Sequence, residues 1–342
     1  MAEYLILVGA SSNRVYSQDA PRLMIAELQA FAAVIAPGGI GQARPLTLAG
    51  VPYLGFEADD LSVDGINALA NLSGFFALFR RHGQLLEPIP AVRLDRFPDD
   101  LVTIPKYQGK TNEQLTKLLL NVTALATAWP ERLFSRQLRV LDPLCGRGST
   151  LNQAALYGLD VTGVELDQRD FEAYRAFIVT WLRTHRYKHQ ADAGALRIDG
   201  RALGQQFEVD FAADKGDYKA GQTQRIRFLN TDTTQLDRLI PKASVEVIVT
   251  DTPYGVRHGS HGDRLVRSPL GLIEQALPGW VRTLRVGGAL GMAYNRHVAA
   301  PRELAELLEG AGLQVASDLE ADSYRHRVDA SIDRDLIIAR KG

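Results

Sequence analysis

The chain has 342 residues, with 39 Lys and Arg against 40 Asp and Glu and 46% hydrophobic residues, enough for two domains of ordinary globular composition. A formal net charge of -1 excludes a general attraction to nucleic acid, so any such partner has to be held by local patches. A single cysteine, Cys145, excludes an intramolecular disulfide and a thiolate zinc cluster. No apolar run reaches membrane-spanning length, and the opening run YLILVGA is too short and lacks the basic flank of a signal peptide, so the expectation is a soluble protein in a reducing, cytoplasmic setting.

In chain order, Tyr4 to Val8 reads as a strand and Ala20 to Val34 as an amphipathic helix, with Leu23, Ile25, Ala26, Leu28 and Phe31 at its apolar positions. Two short strand-like runs follow between Pro45 and Phe56, then a helix over Val63 to Leu72 and strands at Phe75 to Phe79 and Leu85 to Ile89. This order predicts a small α+β domain over residues 1–90, of ferredoxin-like type, with no catalytic constellation. Arg80, Arg81 and His82 read either as a solvated strand end or as a phosphate contact.

Residues 91–135 read as a Pro-, Asp- and Arg-rich linker and a helix packing on the next domain. Thr111 and Gln114 have capping-box spacing, and Leu115, Leu118, Leu119, Val122 and Leu125 fall on one helical face.

Residues 136–342 then carry the chemistry. Leu138, Val140 and Leu141 form an apolar strand ending in Asp142, followed by a Gly-rich turn and a helix opening near Ser149. Glycine at 146 and 148 lets backbone approach a small ligand and permits positive φ. The dinucleotide pattern fails, since Leu151 stands where its third glycine belongs. Asp142 repels a pyrophosphate and welcomes a cation, and S-adenosylmethionine has an ammonium and a sulfonium and no phosphate. The competing reading is a strand-turn-helix corner without a ligand. Cys145 reads as a small buried loop residue.

Glu165 ends the next strand about 20 residues after the loop, where an acid in such folds meets ribose hydroxyls; a salt-bridging surface glutamate is the alternative. Phe171, Tyr174, Phe177, Ile178 and Trp181 lie at core spacing on the helix that follows. From about 190 to 224, the alternation of Phe207, Val209 and Phe211 and the turn-rich stretch after them predict an inserted hairpin. IRFLNTDTTQL supplies the third core strand, with Asp232 at its end as helix cap, ligand acid or both. Val245, Val247 and Val249 alternate along a strand ending in Asp251, Thr252, Pro253 and Tyr254.

At Asp251 to Arg257, DTPYGVR, the chain resembles the RNA methylase family that includes the tRNA guanine-N2 methyltransferases, whose motif is Asp-Pro-Pro-Tyr. The resemblance covers roughly the C-terminal two thirds. It implies catalytic roles for Asp251, Thr252, Pro253 and Tyr254, and cofactor contacts from Asp142, Leu144, Gly146, Gly148, Glu165 and Asp232, with Asp232 accepting from the adenine amino group and Glu165 holding the ribose. Thr252 departs from the family's proline. Tyr107 to Thr111 matches a segment that in one circular order of these enzymes lies against the methionine end of the cofactor; a plain loop is the alternative.

After Tyr254 the loop carries Arg257, His258, His261, Arg264 and Arg267, able to grip phosphates or simply stay solvated; its two histidines lack a third ligand, and no metal site is expected. A helix over Leu270 to Leu284, a strand at Ala289 to Ala293, a helix over Arg302 to Leu308 and strands near Leu313 and Asp335 complete the pattern. The predicted fold is α/β: a Rossmann-like methyltransferase sheet, mostly parallel with an antiparallel last strand, plus the small N-terminal α+β domain. The implied activity is methyl transfer from S-adenosylmethionine to an exocyclic nucleobase amine, with RNA as the favoured partner and guanine N2 as the favoured target. The alternatives are DNA adenine N6 or cytosine N4, and a cofactor-binding nucleic-acid or regulatory protein without turnover.

Overall fold

The computed structural model describes residues 1–11, 13–107, 109–253, 269–316 and 322–342, apart from the side chain of Arg14. Strand β1 (Ala2–Val8) leads into α1 (Arg14–Ile35), which starts well before Ala20 because the Asn13 side chain accepts from the Val15 and Tyr16 amides and caps it. Then come β2 (Arg44–Leu48), β3 (Val51–Ala58), α2 (Val63–Leu69), β4 (Phe75–His82) and β5 (Leu85–Ile89). They pair antiparallel in the order β2-β3-β1-β4-β5, a βαββαβ unit with a fifth strand on one edge. At the end of β4, Arg80 pairs with Asp60, Arg81 with Glu3 at 3.4 Å and His82 with Glu87 at 2.9 Å. That basic cluster is therefore engaged by acids of the same unit.

The connection holds α3 (Asp100–Thr103), α4 (Glu113–Leu125) and α5 (Glu131–Phe134). The core of the second unit is β6 (Arg139–Asp142), α6 (Ser149–Tyr157), β7 (Asp160–Glu165), α7 (Gln168–Thr184), β8 (His189–Ile198), β9 (Arg201–Phe211), α8 (Lys215–Lys219) and β10 (Gln224–Asn230). It closes with α9 (Leu236–Leu239), β11 (Val245–Asp251), α10 (Pro269–Thr283), β12 (Leu284–Asn295), α11 (Pro301–Gly310), β13 (Leu313–Val315), β14 (His326–Arg327) and β15 (Asp333–Lys341).

The sheet runs β13-β15-β12-β11-β6-β7-β10-β9-β8, with β14 on β15. Strands β12, β11, β6, β7 and β10 are mutually parallel, and β15 is antiparallel to β12. Period-2 alternation splits its apolar residues between two faces: Val140, Val161, Phe228 and Val247 on one, Leu141, Val164, Leu229 and Ile248 on the other. Both faces are buried under helices, so apolar residues occupy consecutive positions in these strands, as at Val140–Leu141, Phe228–Leu229 and Val247–Ile248.

The inserted segment corrects the sequence reading. Its hairpin is β8 and β9, turning at Asp199 and Gly200; the turn-rich stretch after Phe211 forms α8, capped by Asp214, which accepts from the Asp217 amide. Strand β8 has exposed residues on both faces, so no alternation marks it. Helix α4 is buried on nearly every side, packed against α1, α6 and β12. Each fully buried leucine contributes about 1.5–3 kcal/mol, so α4 acts as the shared core of the two units. Among the described residues, no helix is long and apolar enough to cross a membrane.

Candidate active site

Parallel register brings the acids to one rim. Val247 pairs with Val140 and Ile248 with Leu141 across β11 and β6; Asp142 pairs with Gly163 on β7, and Glu165 with Asn230 on β10. Asp251, Asp142 and Glu165 thus leave the carboxyl ends of three adjacent strands, where open α/β sheets hold ligands.

The Gly-rich loop is built onto those ends. Its amides are anchored through Leu144 N to Asp142 Oδ1 (3.1 Å), Cys145 N to the Val164 carbonyl (3.0 Å) and Gly146 N to Glu165 Oε2 (3.1 Å). Glu165 Oε1 also accepts from Asp167 N at 2.7 Å, so this carboxylate ties the first turn to the second. Gly146 and Gly148 have φ of 50° and 80°, but they serve different ends. A Cβ on Gly148 would stand 2.3 Å from the buried Tyr174 ring, whereas one on Gly146 would meet nothing within 4 Å and project into open space. The first glycine leaves room outside the fold and the second leaves room inside it.

Asp142 is 3% exposed, and burial pushes its carboxyl up to about 7; the Thr150 hydroxyl and the Leu144 amide pull the other way, and the charge of Asp251 adds to the rise. Burial likewise raises Glu165, against its bonds from the Asp167 and Gly146 amides. The Cys145 thiol is buried and pushed up by burial first and then by Asp142 and Glu165, consistent with an inert loop residue.

Asp232 caps the 3-10 turn after β10, its Oδ1 accepting from Thr234 N at 2.9 Å and from Thr234 Oγ1 at 2.8 Å. Asn230, which the sequence reading did not single out, ties the rim: its Nδ2 donates to the carbonyls of Glu165 (2.9 Å) and Leu166 (3.1 Å). Its only sequence signal is its place just before Asp232 at a strand end.

Asp251 accepts a hydrogen bond from the Thr111 hydroxyl. This overturns the expected capping box: Asn112, one residue on, caps α4 through Gln114 N and Leu115 N, leaving the Thr111 hydroxyl for the acid. Tyr107 also reaches the Gly-rich loop, with its hydroxyl 2.9 Å from Ser149 Oγ and the Arg147 guanidinium over its ring at 5.2 Å. The segment before α4 therefore straddles the loop and the end of β11. Thr252 is buried, and both its amide and its Oγ1 donate to the Ala293 carbonyl at 3.0 Å. Pro253 is exposed, while Tyr254, Arg257, His258, His261, Arg264 and Arg267 lie outside the described residues. Among the described residues, no group of three or more His, Cys, Asp or Glu could hold a metal ion.

A family model described as RMKL-like, methyltransferase domain, matches residues 132–285, the stretch from α5 to the start of β12 that holds the whole rim. Residues 132–285 are thus similar to that methyltransferase domain, over less than half of the chain. The ribosomal RNA large subunit methyltransferase K/L of Shewanella oneidensis is 28% identical over 131 residues, 37% of this chain and 18% of that protein; its counterpart in Shewanella sp. strain ANA-3 is 29% identical over the same shares. The chain thus matches less than a fifth of the length of these curated relatives. Among solved structures, TrmN from Thermus thermophilus aligns with 99% of this chain and 100% of its own at 14% identity and TM-score 0.47. A TehB-like SAM-dependent methyltransferase from Corynebacterium glutamicum aligns with 62% of this chain and 86% of its own, at 15% identity and TM-score 0.33. At these values the structural likenesses bear on neither substrate nor chemistry.

The cofactor of the RMKL-like methyltransferase domain is S-adenosylmethionine, and the residues present fit it. A buried carboxylate, a second carboxylate on the next strand and a loop with open space over Gly146 suit a cationic, phosphate-free ligand.

Proposed function

We propose that the chain is an S-adenosylmethionine-dependent N-methyltransferase acting on an exocyclic amino group of a nucleobase, with guanine N2 in RNA as the substrate. The observation that carries the reading is Asp251 at the end of β11, beside the buried Asp142 and held by Thr111. The curated relatives are named as ribosomal RNA large subunit methyltransferases, which supports RNA as the polymer.

Asp142, Leu144, Gly146, Gly148, Glu165 and Asp232 would hold the cofactor, with the carboxylates taking its hydroxyl and cationic groups. When bound, S-adenosylmethionine supplies a methyl group whose C–S bond breaks as the N–C bond forms, the electron pair returning to sulfur. The acceptor amine has its lone pair delocalised into the ring and is a poor nucleophile. Asp251 and the Thr252 carbonyl accept its two N–H hydrogens, favour a tetrahedral nitrogen and offset the positive charge developing there. The surplus proton leaves through Asp251 or water. Tyr254 is assigned to stacking on the base, and Pro253 to stiffening the turn. Alignment supplies much of the remaining rate, with effective molarities of about 10⁵ M or more open to well-oriented reactants.

We assign residues 1–90 as the N-terminal domain, 91–135 as the linker and packing helix, and 136–342 as the catalytic domain bearing the inserted hairpin. The test is to incubate the protein and labelled S-adenosylmethionine with total RNA and, in a separate sample, with DNA, then digest whichever takes up label to nucleosides. The expected product is N2-methylguanosine from RNA. Label confined to DNA, or to a ring nitrogen or carbon, overturns the assignment.

A further inference from the structure

We propose that Thr111 is a positioning residue for methyl transfer, fixing the rotation of the Asp251 carboxylate so that it faces the acceptor amine; this rests on the reading of Asp251 given above. A carboxylate at a strand end turns about a broad torsion, and a fixed donor on one oxygen selects one orientation of the pair. The Thr111 hydroxyl is such a donor, on Asp251 Oδ2, reaching across 140 positions of sequence. It is spared from capping because Asn112 caps α4.

The segment that carries Thr111 is itself held from several directions. Lys110 Nζ donates to the Val102 carbonyl at 2.7 Å and pairs with Glu113. Tyr107 is held at Ser149. From the N-terminal unit, Ser11 Oγ accepts from Asn112 Nδ2 at 2.8 Å, and the Gly9 carbonyl accepts from Gln114 Nε2 at 3.3 Å. The end of β1 therefore buttresses the residue next to Thr111. A hydroxyl so anchored orients the acid before substrate arrives, so no ordering cost falls on the reaction itself.

The test compares Thr111→Val, which keeps the shape and deletes the hydroxyl, with Thr111→Ser, which restores it, in the full chain. Single-turnover methyl transfer is measured on the RNA that the wild type methylates, alongside S-adenosylmethionine affinity by calorimetry and the melting temperature. The valine variant should lose about 10- to 100-fold in transfer rate, the range for a hydrogen bond to a charged group. Its cofactor affinity and RNA half-saturation should stay at wild-type values, with the melting temperature lowered by at most a few degrees, and serine should recover the rate to within about threefold. Thr111→Ala, free of the second methyl, must show the same loss should the valine variant fold poorly. Wild-type transfer by Thr111→Val or Thr111→Ala beside a dead Asp251→Ala overturns the role of Thr111 alone, as does a loss that appears in cofactor affinity instead of rate. Full activity of Asp251→Ala overturns the reading of Asp251 and this proposal with it.

Discussion

Gly146 and Gly148 look alike in sequence, yet their surroundings separate what each contributes. An alanine at 148 combines a φ of 80° with a Cβ driven into Tyr174, whose ring is held by a 3.1 Å hydrogen bond to Asn152. Left-handed strain and overpacking together cost about 2–4 kcal/mol, so Gly148→Ala should melt markedly earlier. Gly146→Ala meets open space, bears only the left-handed cost of about 1–2 kcal/mol, and should fold while binding S-adenosylmethionine at least tenfold more weakly, or roughly 1.4 kcal/mol. Equal melting temperatures for the two variants would contradict this division. Asp142 adds a pH dependence. Its folded carboxyl sits at about 7, above the unfolded value, so its contribution to stability is full at low pH and is lost as pH rises through about 7. Asp142→Asn should flatten the melting temperature against pH between about 4 and 7, relative to wild type; an unchanged slope would contradict it. A cationic ligand favours the ionised form, so cofactor affinity should rise with pH over the same window.

Thr252 stands where the resembled family's motif has proline, which would fix one more φ in the turn. The structure locates the compensation: the amide and Oγ1 both donate to the Ala293 carbonyl, extending the β11–β12 pairing by one residue. Thr252→Pro deletes both bonds at a buried position and should cost about 1–3 kcal/mol, read as a lower denaturation midpoint. A midpoint at or above that of wild type would contradict this account. The parallel strand β11 was legible because both sheet faces are covered, which makes Val247 to Val249 a continuous apolar run beside Val245. Strand β8 was not, since its side chains face solvent on both sides and leave no period to read. The acids of the rim were legible as strand-ending carboxylates, but the partner of Asp251 was not. Thr111 and Gln114 satisfy the capping-box spacing, and only tertiary contact decides that Asn112 takes the cap and Thr111 takes the acid.

Across the molecule, the N-terminal unit and the methyltransferase sheet share one core running from Tyr4 through α4 to Phe228. A buried polar chain crosses it. Glu27 on α1 accepts from Ser73 N (2.8 Å), Ser73 Oγ (2.6 Å) and Asn121 Nδ2 on α4 (2.7 Å), and Asn121 Oδ1 accepts from Tyr157 on α6 at 2.9 Å. Tyr157 closes α6, so this chain ties α1 and α4 to the end of α6 that lies away from the Gly-rich loop. Burial raises the Glu27 carboxyl, with its hydrogen bonds opposing. Glu27→Ala strands three donors and should destabilise the whole protein by about 3–5 kcal/mol in one cooperative transition; early melting of the N-terminal unit alone would contradict a shared core. The pairing of the two units was not legible, because it depends on single polar residues far apart in sequence. The central claim is that the rim separates cofactor binding from acceptor activation, and it is tested most directly by single-turnover methyl transfer to RNA by Asp251→Ala with cofactor affinity measured on the same sample. The account predicts a rate at least about 100-fold below wild type with affinity within about threefold. A wild-type rate, or a loss confined to cofactor affinity, would contradict it.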